Sequence, residues 1–203
     1  AVLLALDTGK GTLFGWLPAS KKWQPLLGTG TRLLSESNLP VHAWRAEMAA
    51  AFNSRLYIPT EHGLAMLVPD FAALQFRIDY VGNAPVVGAP VAFDHQVWAP
   101  IRHENGVVQF VFADAHGVAG PPLRVDGSWT LGEMGAPCAY GRLAVWPCAE
   151  GQLRLQKMTD GSVAATFLAW PEGITPHFEF GSAHMARSGS LWQLCFDSRL
   201  DSY

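Results

Sequence analysis

Short apolar runs joined by turns rich in Gly, Pro, Asp and Asn fill most of the chain. Two stretches repeat one pattern: GAPVAFDHQVWAPIRHENG from residue 88 to 106, and GAPCAYGRLAVWPCAEG from residue 135 to 151. Each reads Gly-Ala-Pro, one residue, Ala, an aromatic, a polar turn, an apolar run with Trp and Pro, and then Glu before Gly. Short apolar runs bounded by turn residues predict β-strands. The repetition predicts a chain built from copies of one β-unit.

The repeat can be followed along the chain on the apolar residue after each polar turn. Leu56, Val97, Leu143 and Leu191 align, at steps of 41, 46 and 48 residues. A period in the forties with several short strands per unit is typical of a propeller blade. We therefore predict an all-β fold, a β-propeller of four short four-stranded blades. Five blades, or a part of a larger propeller, are the alternatives.

Each unit divides into four predicted strands, which we term A to D in chain order. Strand A, as in VGAPVAF, is built from small residues, because the innermost strands of a propeller converge where bulky side chains would collide. Strand B carries aromatics, among them Trp98 and Trp146, which we expect to pack between blades. Strand C closes on an acidic turn residue, which is Asp70, Asp114 or Asp160 in three of the units.

The two ends of the chain complete this pattern. AVLLALDTGKG is interpreted as strand C with its turn, TLFGWLP as strand D, and the last segment as ending just after strand B. A ring could then close by joining the last A–B pair to the first C–D pair, which would remove exposed edges. We predict one domain over residues 1–203, with a long irregular loop over 18–43.

Composition excludes several classes of partner. Hydrophobic residues make up 49% of the chain and charged ones 15%, as in a globular protein. The net charge is −3 with 14 Lys and Arg, which argues against nucleic acid and anionic membranes as partners. No apolar run approaches the roughly 20 residues of a membrane helix, so no membrane insertion is expected. No signal peptide is expected either, because the first apolar run is short and has no basic leader.

The cysteines do not predict a disulfide. The chain has three, and Cys138 and Cys148 flank one predicted hairpin. If Gly141-Arg142 forms its turn, Cys138 lies opposite Val145 and not opposite Cys148. This slightly favours a reducing compartment such as the cytoplasm.

Two stretches resemble a known repeat. VLLALDTGKGTLFGW (2–16) and APVVGAPVAFDHQVWAPI (84–101) are similar to the repeats of the PQQ-dehydrogenase-like and WD-like β-propellers. That resemblance implies the propeller fold, which occurs in quinoenzymes, in outer-membrane assembly scaffolds and in modules without enzyme activity. The chain lacks the Cys-Cys pair and the metal ligands of the quinoenzymes, so the resemblance implies no cofactor and no catalytic residue.

Polar residues recur at the turns between strands B and C. In a propeller these turns emerge on one face together with the D–A connections. His and carboxylate side chains there could form a metal site for Zn or Mn. Alternatively, each Glu and Gly simply forms a hairpin turn. The residues are Glu61, His62, His103, Glu104 and Glu150.

The loop over 18–43 is interpreted as lying on the same face. Its Lys21, Lys22 and Trp23 form a cationic and aromatic tip suited to an acidic or planar partner. Trp129, beside a turn, is a further surface candidate.

The sequence shows no recognisable set of catalytic residues: it has neither a Ser-His-Asp order nor a phosphate-binding loop. We therefore predict a non-catalytic interaction platform, not an enzyme, that binds a protein or peptide through its loop face. The alternatives are a propeller that binds a carbohydrate or small ligand, and a hydrolase.

Overall fold

The structure, a computed structural model, describes residues 3–7, 12–17, 21–25, 49–60, 62–70, 75–132, 134–176, 184–185, 191–192 and 195–197. The regular elements in these ranges are β-strands that pair antiparallel. No helix among the described residues is long and apolar enough to cross a membrane. The all-β prediction is confirmed.

Three of the sheets have four strands each, arranged in simple chain order. The second sheet consists of β4 (Ala50–Phe52), β5 (Arg55–Thr60), β6 (Gly63–Asp70) and β7 (Gln75–Val81). The third sheet consists of β8 (Val91–Phe93), β9 (Gln96–Arg102), β10 (Val107–Ala113) and β11 (Leu123–Ser128). The fourth sheet consists of β12 (Cys138–Tyr140), β13 (Leu143–Cys148), β14 (Gly151–Lys157) and β15 (Val163–Ala169). These strands are the predicted A, B, C and D of three successive units.

The remaining strands lie towards the two ends of the chain. The first sheet consists of β1 (Leu3–Asp7), β2 (Thr12–Leu17) and β3 (Lys22–Pro25). Two pairs follow the fourth sheet: β16 (Ile174–Pro176) with β19 (Cys195–Asp197), and β17 (His184–Met185) with β18 (Leu191–Trp192). The predicted joining of the two chain ends involves residues outside the described ranges.

The first sheet corrects the strand assignment at the start of the chain. β3 is the last described strand before the second sheet, a position that strand D holds in the complete sheets. We therefore assign β1, β2 and β3 to strands B, C and D, and not β1 and β2 to C and D. The sequence supports this, because Leu17-Pro18 and Trp23-Gln24 repeat the spacing of Val68-Pro69 and Leu74-Gln75. β3 also lies inside the predicted loop over 18–43, whose residues from 26 onward are outside the described ranges.

The hairpin registers refine the alignment of the repeats. Leu56 and Val97 each lie opposite an alanine of strand A. In the fourth sheet the residue opposite that alanine is Ala144, so Leu143 was aligned one position too early. The same hairpin pairs Cys138 with Val145, as predicted, and Cys138 and Cys148 are free thiols.

Successive sheets pack face to face, with their first strands side by side. β4 contacts β8, β8 contacts β12, and β12 contacts β17. One apolar core fills the space between the second and third sheets, around Tyr57 and Val111. Another fills the space between the third and fourth sheets, around Trp98 and Trp146, as predicted for these indoles. The third sheet is therefore covered on both faces.

Polar bonds join the sheets where the A–B turn of one sheet meets the next sheet. The Arg55 guanidinium donates to the carbonyl oxygens of Ala115 (3.1 Å) and His116 (2.7 Å) in the third sheet's C–D turn. At the next junction, Lys157 forms an ion pair with Asp94. The two junctions thus make contacts at equivalent places, but one uses hydrogen bonds from a guanidinium to carbonyl oxygens and the other uses an ion pair.

Candidate functional site

Each four-stranded sheet has two ends that differ in their turns. We call the end with the B–C turns and the D–A connections the upper end. The lower end carries the A–B and C–D turns. The polar residues predicted for a functional face divide between these two ends.

In the third sheet, hydrogen bonds at the upper turn hold a histidine in position. The His103 N–H donates to the Val107 carbonyl (2.9 Å), and the Asn105 side chain accepts the Val107 N–H (3.1 Å). The His103 Nε2 lies 2.9 Å from Oε1 of Gln109 on strand C. This contact holds the half-buried imidazole, while Glu104 beside it is exposed.

In the second sheet, a buried threonine shapes the turn. The Thr60 hydroxyl donates to the Gly63 carbonyl (2.7 Å) and accepts the His62 N–H (3.2 Å). Gly63 has φ +131°, and a Cβ there would come within 2.8 Å of the Val81 carbonyl oxygen. The turn therefore presents His62 at the surface, edge-on to the ring of Tyr80, with ring centroids 6.4 Å apart. Glu61 lies outside the described residues.

In the fourth sheet, the upper turn is tied to the D–A connection. The Glu150 carbonyl accepts the Trp170 N–H (3.1 Å), and the Trp170 indole donates to the Cys148 carbonyl (2.9 Å). The Cys148 thiol donates to the Gly151 carbonyl at 3.1 Å. Burial raises the pKa of this thiol to about 11. It stays protonated at neutral pH and is therefore no nucleophile. The Glu150 residue itself is exposed.

The described residues do not support the metal hypothesis. They contain no group of three or more His, Cys, Asp or Glu side chains that could hold an ion. Within these ranges, His103 and Thr60 take part in hydrogen bonds that close two of these turns. The roles predicted for the polar residues of these turns stay predictions.

The cationic tip lies at the lower end. Lys21, Lys22 and Trp23 are exposed at the turn between β2 and β3, which is a C–D turn in our assignment. The tip and the upper histidines therefore lie at opposite ends of their sheets. Trp129 is half-buried: its ring stacks on Phe167 with centroids 4.2 Å apart, and its N–H donates to the Asp126 carbonyl (2.8 Å). Trp129 thus packs between sheets.

Tyr80 is a candidate site residue that the sequence did not predict. This side chain is 44% exposed at the upper end of β7, beside His62. The sequence does not indicate that Tyr80 is exposed, since an aromatic residue near the end of strand D is equally compatible with a buried position. Only the pairing of β7 with β6 brings Tyr80 to this turn.

The repeated small antiparallel sheets define a propeller-like class of fold. No protein-family model and no curated protein matches the sequence. Among solved structures, the chain is similar to puromycin hydrolase, whose structure is that of a serine-to-alanine mutant in complex with PGG. The TM-score is 0.53 at 18% identity, and the match covers 96% of this chain and 34% of that chain. At this identity, the likeness shows the fold. The similarity to PQQ-dehydrogenase-like repeats stays a prediction.

This finding overturns the prediction of a non-catalytic platform that is not an enzyme. A solved protein that is similar over nearly the whole chain is named a hydrolase. The prediction was based on the lack of a complete catalytic set in the sequence, but a β-sheet array can serve an enzyme without carrying that set. The expected protein, peptide or carbohydrate partners stay predictions.

Proposed function

We propose that the chain belongs to a hydrolase, and that its sheets are blades of a propeller whose upper end faces the substrate. The observation that supports this is the likeness to puromycin hydrolase over 96% of the chain. The chain spans about a third of the length of that protein, 34%, so the activity is proposed for the whole protein to which the sheets belong.

The chemistry proposed is hydrolysis of an amide bond, the bond that joins the two halves of puromycin. Water adds across the C–N bond, which releases a carboxylate and an amine. The role proposed for this chain is to bind and orient the substrate at the upper end.

The upper end has side chains suited to this role. Tyr80 and His62 offer an exposed aromatic pair on which a planar group can stack. The His103 imidazole, held by Gln109, offers a polar contact on the neighbouring sheet. The turns that carry these groups are closed by hydrogen bonds, so their side chains are held in place for binding.

The experiment measures puromycin binding and puromycin hydrolysis with matched tyrosine variants. Tyr80→Ala removes an exposed ring at the upper end, and Tyr140→Ala removes a ring of nearly equal exposure, 46%, at the lower end. We expect saturable binding that Tyr80→Ala weakens about fivefold, since stacking contributes about 1 kcal/mol. Tyr140→Ala should leave the affinity unchanged.

Two results would contradict the proposal. The first is that a chain with native far-UV dichroism neither binds puromycin nor releases amine from it, which would remove the basis of the proposal. Equal effects of the two tyrosine variants would show that the upper end has no special role.

A further inference from the structure

The outer edge of the fourth sheet differs from the outer edges of the first, second and third sheets. β15 (Val163–Ala169, sequence VAATFLA) is the last strand of its sheet. Among the described strands, none pairs with its outer side. An unpaired edge exposes backbone N–H and C=O groups that can bind another strand.

The outer strands of those three sheets carry residues that oppose such pairing. β7 contains Arg77 and Asp79. β11 contains Arg124 and Asp126, and its register with β10 is broken by a shift. β3 ends at Pro25. Charges, irregularities and proline are the usual protections of an edge strand. β15 has none of them.

The hydrogen-bond pattern shows which backbone groups of β15 point outward. The Trp170 N–H donates to the Glu150 carbonyl, and the register pairs Arg154 with Thr166. Because bonded pairs alternate in an antiparallel ladder, the even-numbered residues bond to β14. The N–H and C=O groups of the odd-numbered residues therefore face outward. These residues are Val163, Ala165, Phe167 and Ala169.

We propose that this edge pairs with the same edge of a second copy of the chain. In an antiparallel pair about a two-fold axis at Thr166, Ala165 faces Phe167 of the partner and Val163 faces Ala169 of the partner. Every outward backbone group then finds a complement. A second copy supplies an uncharged strand, which a charged outer strand such as β7 does not.

The proposed dimer is weak. One strand pair buries far less than the roughly 1,200–2,000 Å² of a stable interface. The exposed side chains of Thr166 and Leu168 add contacts beside the paired strands. The dimer therefore forms at high protein concentration and dissociates on dilution.

Sedimentation velocity over a range of concentrations tests this proposal. Thr166→Lys places two like charges opposite each other at the two-fold axis and should weaken the dimer about fivefold or more. The matched control is Thr130→Lys, which adds the same charge at an exposed loop position outside β15. An equimolar mixture of the Thr166→Lys and Thr166→Glu variants should recover association, because unlike charges then face each other.

Three outcomes would overturn the proposal. One is a native chain that stays monomeric up to about 1 mM, which would leave the edge for another occupant or for none. A second is equal weakening by the two lysine variants. A third is a mixture of the two Thr166 variants that associates no better than either variant alone. The recovery arm also separates loss of pairing from loss of folding, since a misfolded variant would not regain it.

Discussion

Two buried indoles differ in what their N–H groups bind. Trp146 donates to the Ala89 carbonyl of the preceding sheet at 2.7 Å, inside the core. Trp98 is 2% exposed, and its Nε1 has no hydrogen-bond partner within the described residues. A buried donor without an acceptor costs free energy, whereas a satisfied one stabilises the fold modestly. The two residues therefore contribute differently, although both are tryptophans of strand B in neighbouring sheets.

This difference predicts unequal costs for one substitution. Trp146→Phe leaves the Ala89 carbonyl unpaired, whereas Trp98→Phe removes an unpaired donor and only shrinks the side chain. We expect Trp146→Phe to lower the free energy of unfolding by about 1–2 kcal/mol more than Trp98→Phe does. Urea denaturation of both variants measures the difference. Equal losses would mean that the indole bond between the sheets is energetically neutral.

Strand B tolerates proline because strand A ends early. β9 contains Pro100 and β13 contains Pro147, each in the interior of its sheet, where proline would normally remove a ladder bond. β8 pairs with β9 only as far as Trp98. Beyond that point the D–A connection replaces strand A, and the Val87 N–H donates to the Pro100 carbonyl at 2.9 Å. The proline thus lies where its nitrogen faces no partner strand.

The A–B turns of the second and third sheets contain strained residues. Asp94 and His95 have φ +50° and +61°, and Asn53 and Ser54 also have positive φ. Two-residue turns of this kind prefer Gly at the second position, because a Cβ is disfavoured there. The chain retains histidine at that position between β8 and β9.

We therefore expect His95→Gly to stabilise the protein. Relief of the strained backbone should outweigh the greater flexibility of glycine and raise the free energy of unfolding by about 0.5–1 kcal/mol. The matched control is His116→Gly, in an exposed turn position without positive φ, which should lower stability by a similar amount. Thermal and urea denaturation measure both. A loss of stability for His95→Gly would show that the contacts of the His95 side chain stabilise the protein by more than its backbone strain destabilises it.

At the scale of the whole molecule, the third sheet links two cores. One face packs on the second sheet and the other on the fourth. Since sheets in such an array stabilise their neighbours, damage to one core should be transmitted through the third sheet. This arrangement predicts that the described sheets unfold together.

Val111→Ala tests this coupling. Val111 is 2% exposed in the core between the second and third sheets, and its truncation should cost about 2 kcal/mol. If the sheets are coupled, the amides of β13 and β14 in the fourth sheet should lose the same protection against hydrogen exchange. Val118→Ala, at a position 61% exposed, is the control and should leave protection unchanged. Unchanged protection in the fourth sheet of the Val111 variant would show independent unfolding.

Local patterns predicted turns and strands well, but they did not always show which strand of the unit a segment forms or which distant residues meet. The pairing of Cys138 with Val145 followed from a two-residue turn and is confirmed. The assignment of β1 was wrong, because Asp7 at its end resembled the acidic ends of strand C. Tyr80 was missed, because nothing near it in sequence shows that its strand ends beside His62.

By itself, the sequence determined that the chain forms short antiparallel strands in repeated sheets. That information lies in adjacent residues, as apolar runs, turn glycines and small residues in strand A. The tertiary structure decided which side chains share an end of the sheets, that Trp146 reaches Ala89 across 57 residues, and that no described strand pairs with the outer side of β15. These features depend on which sheets become neighbours. That choice is made by the packing of whole faces, and no short stretch of sequence encodes it.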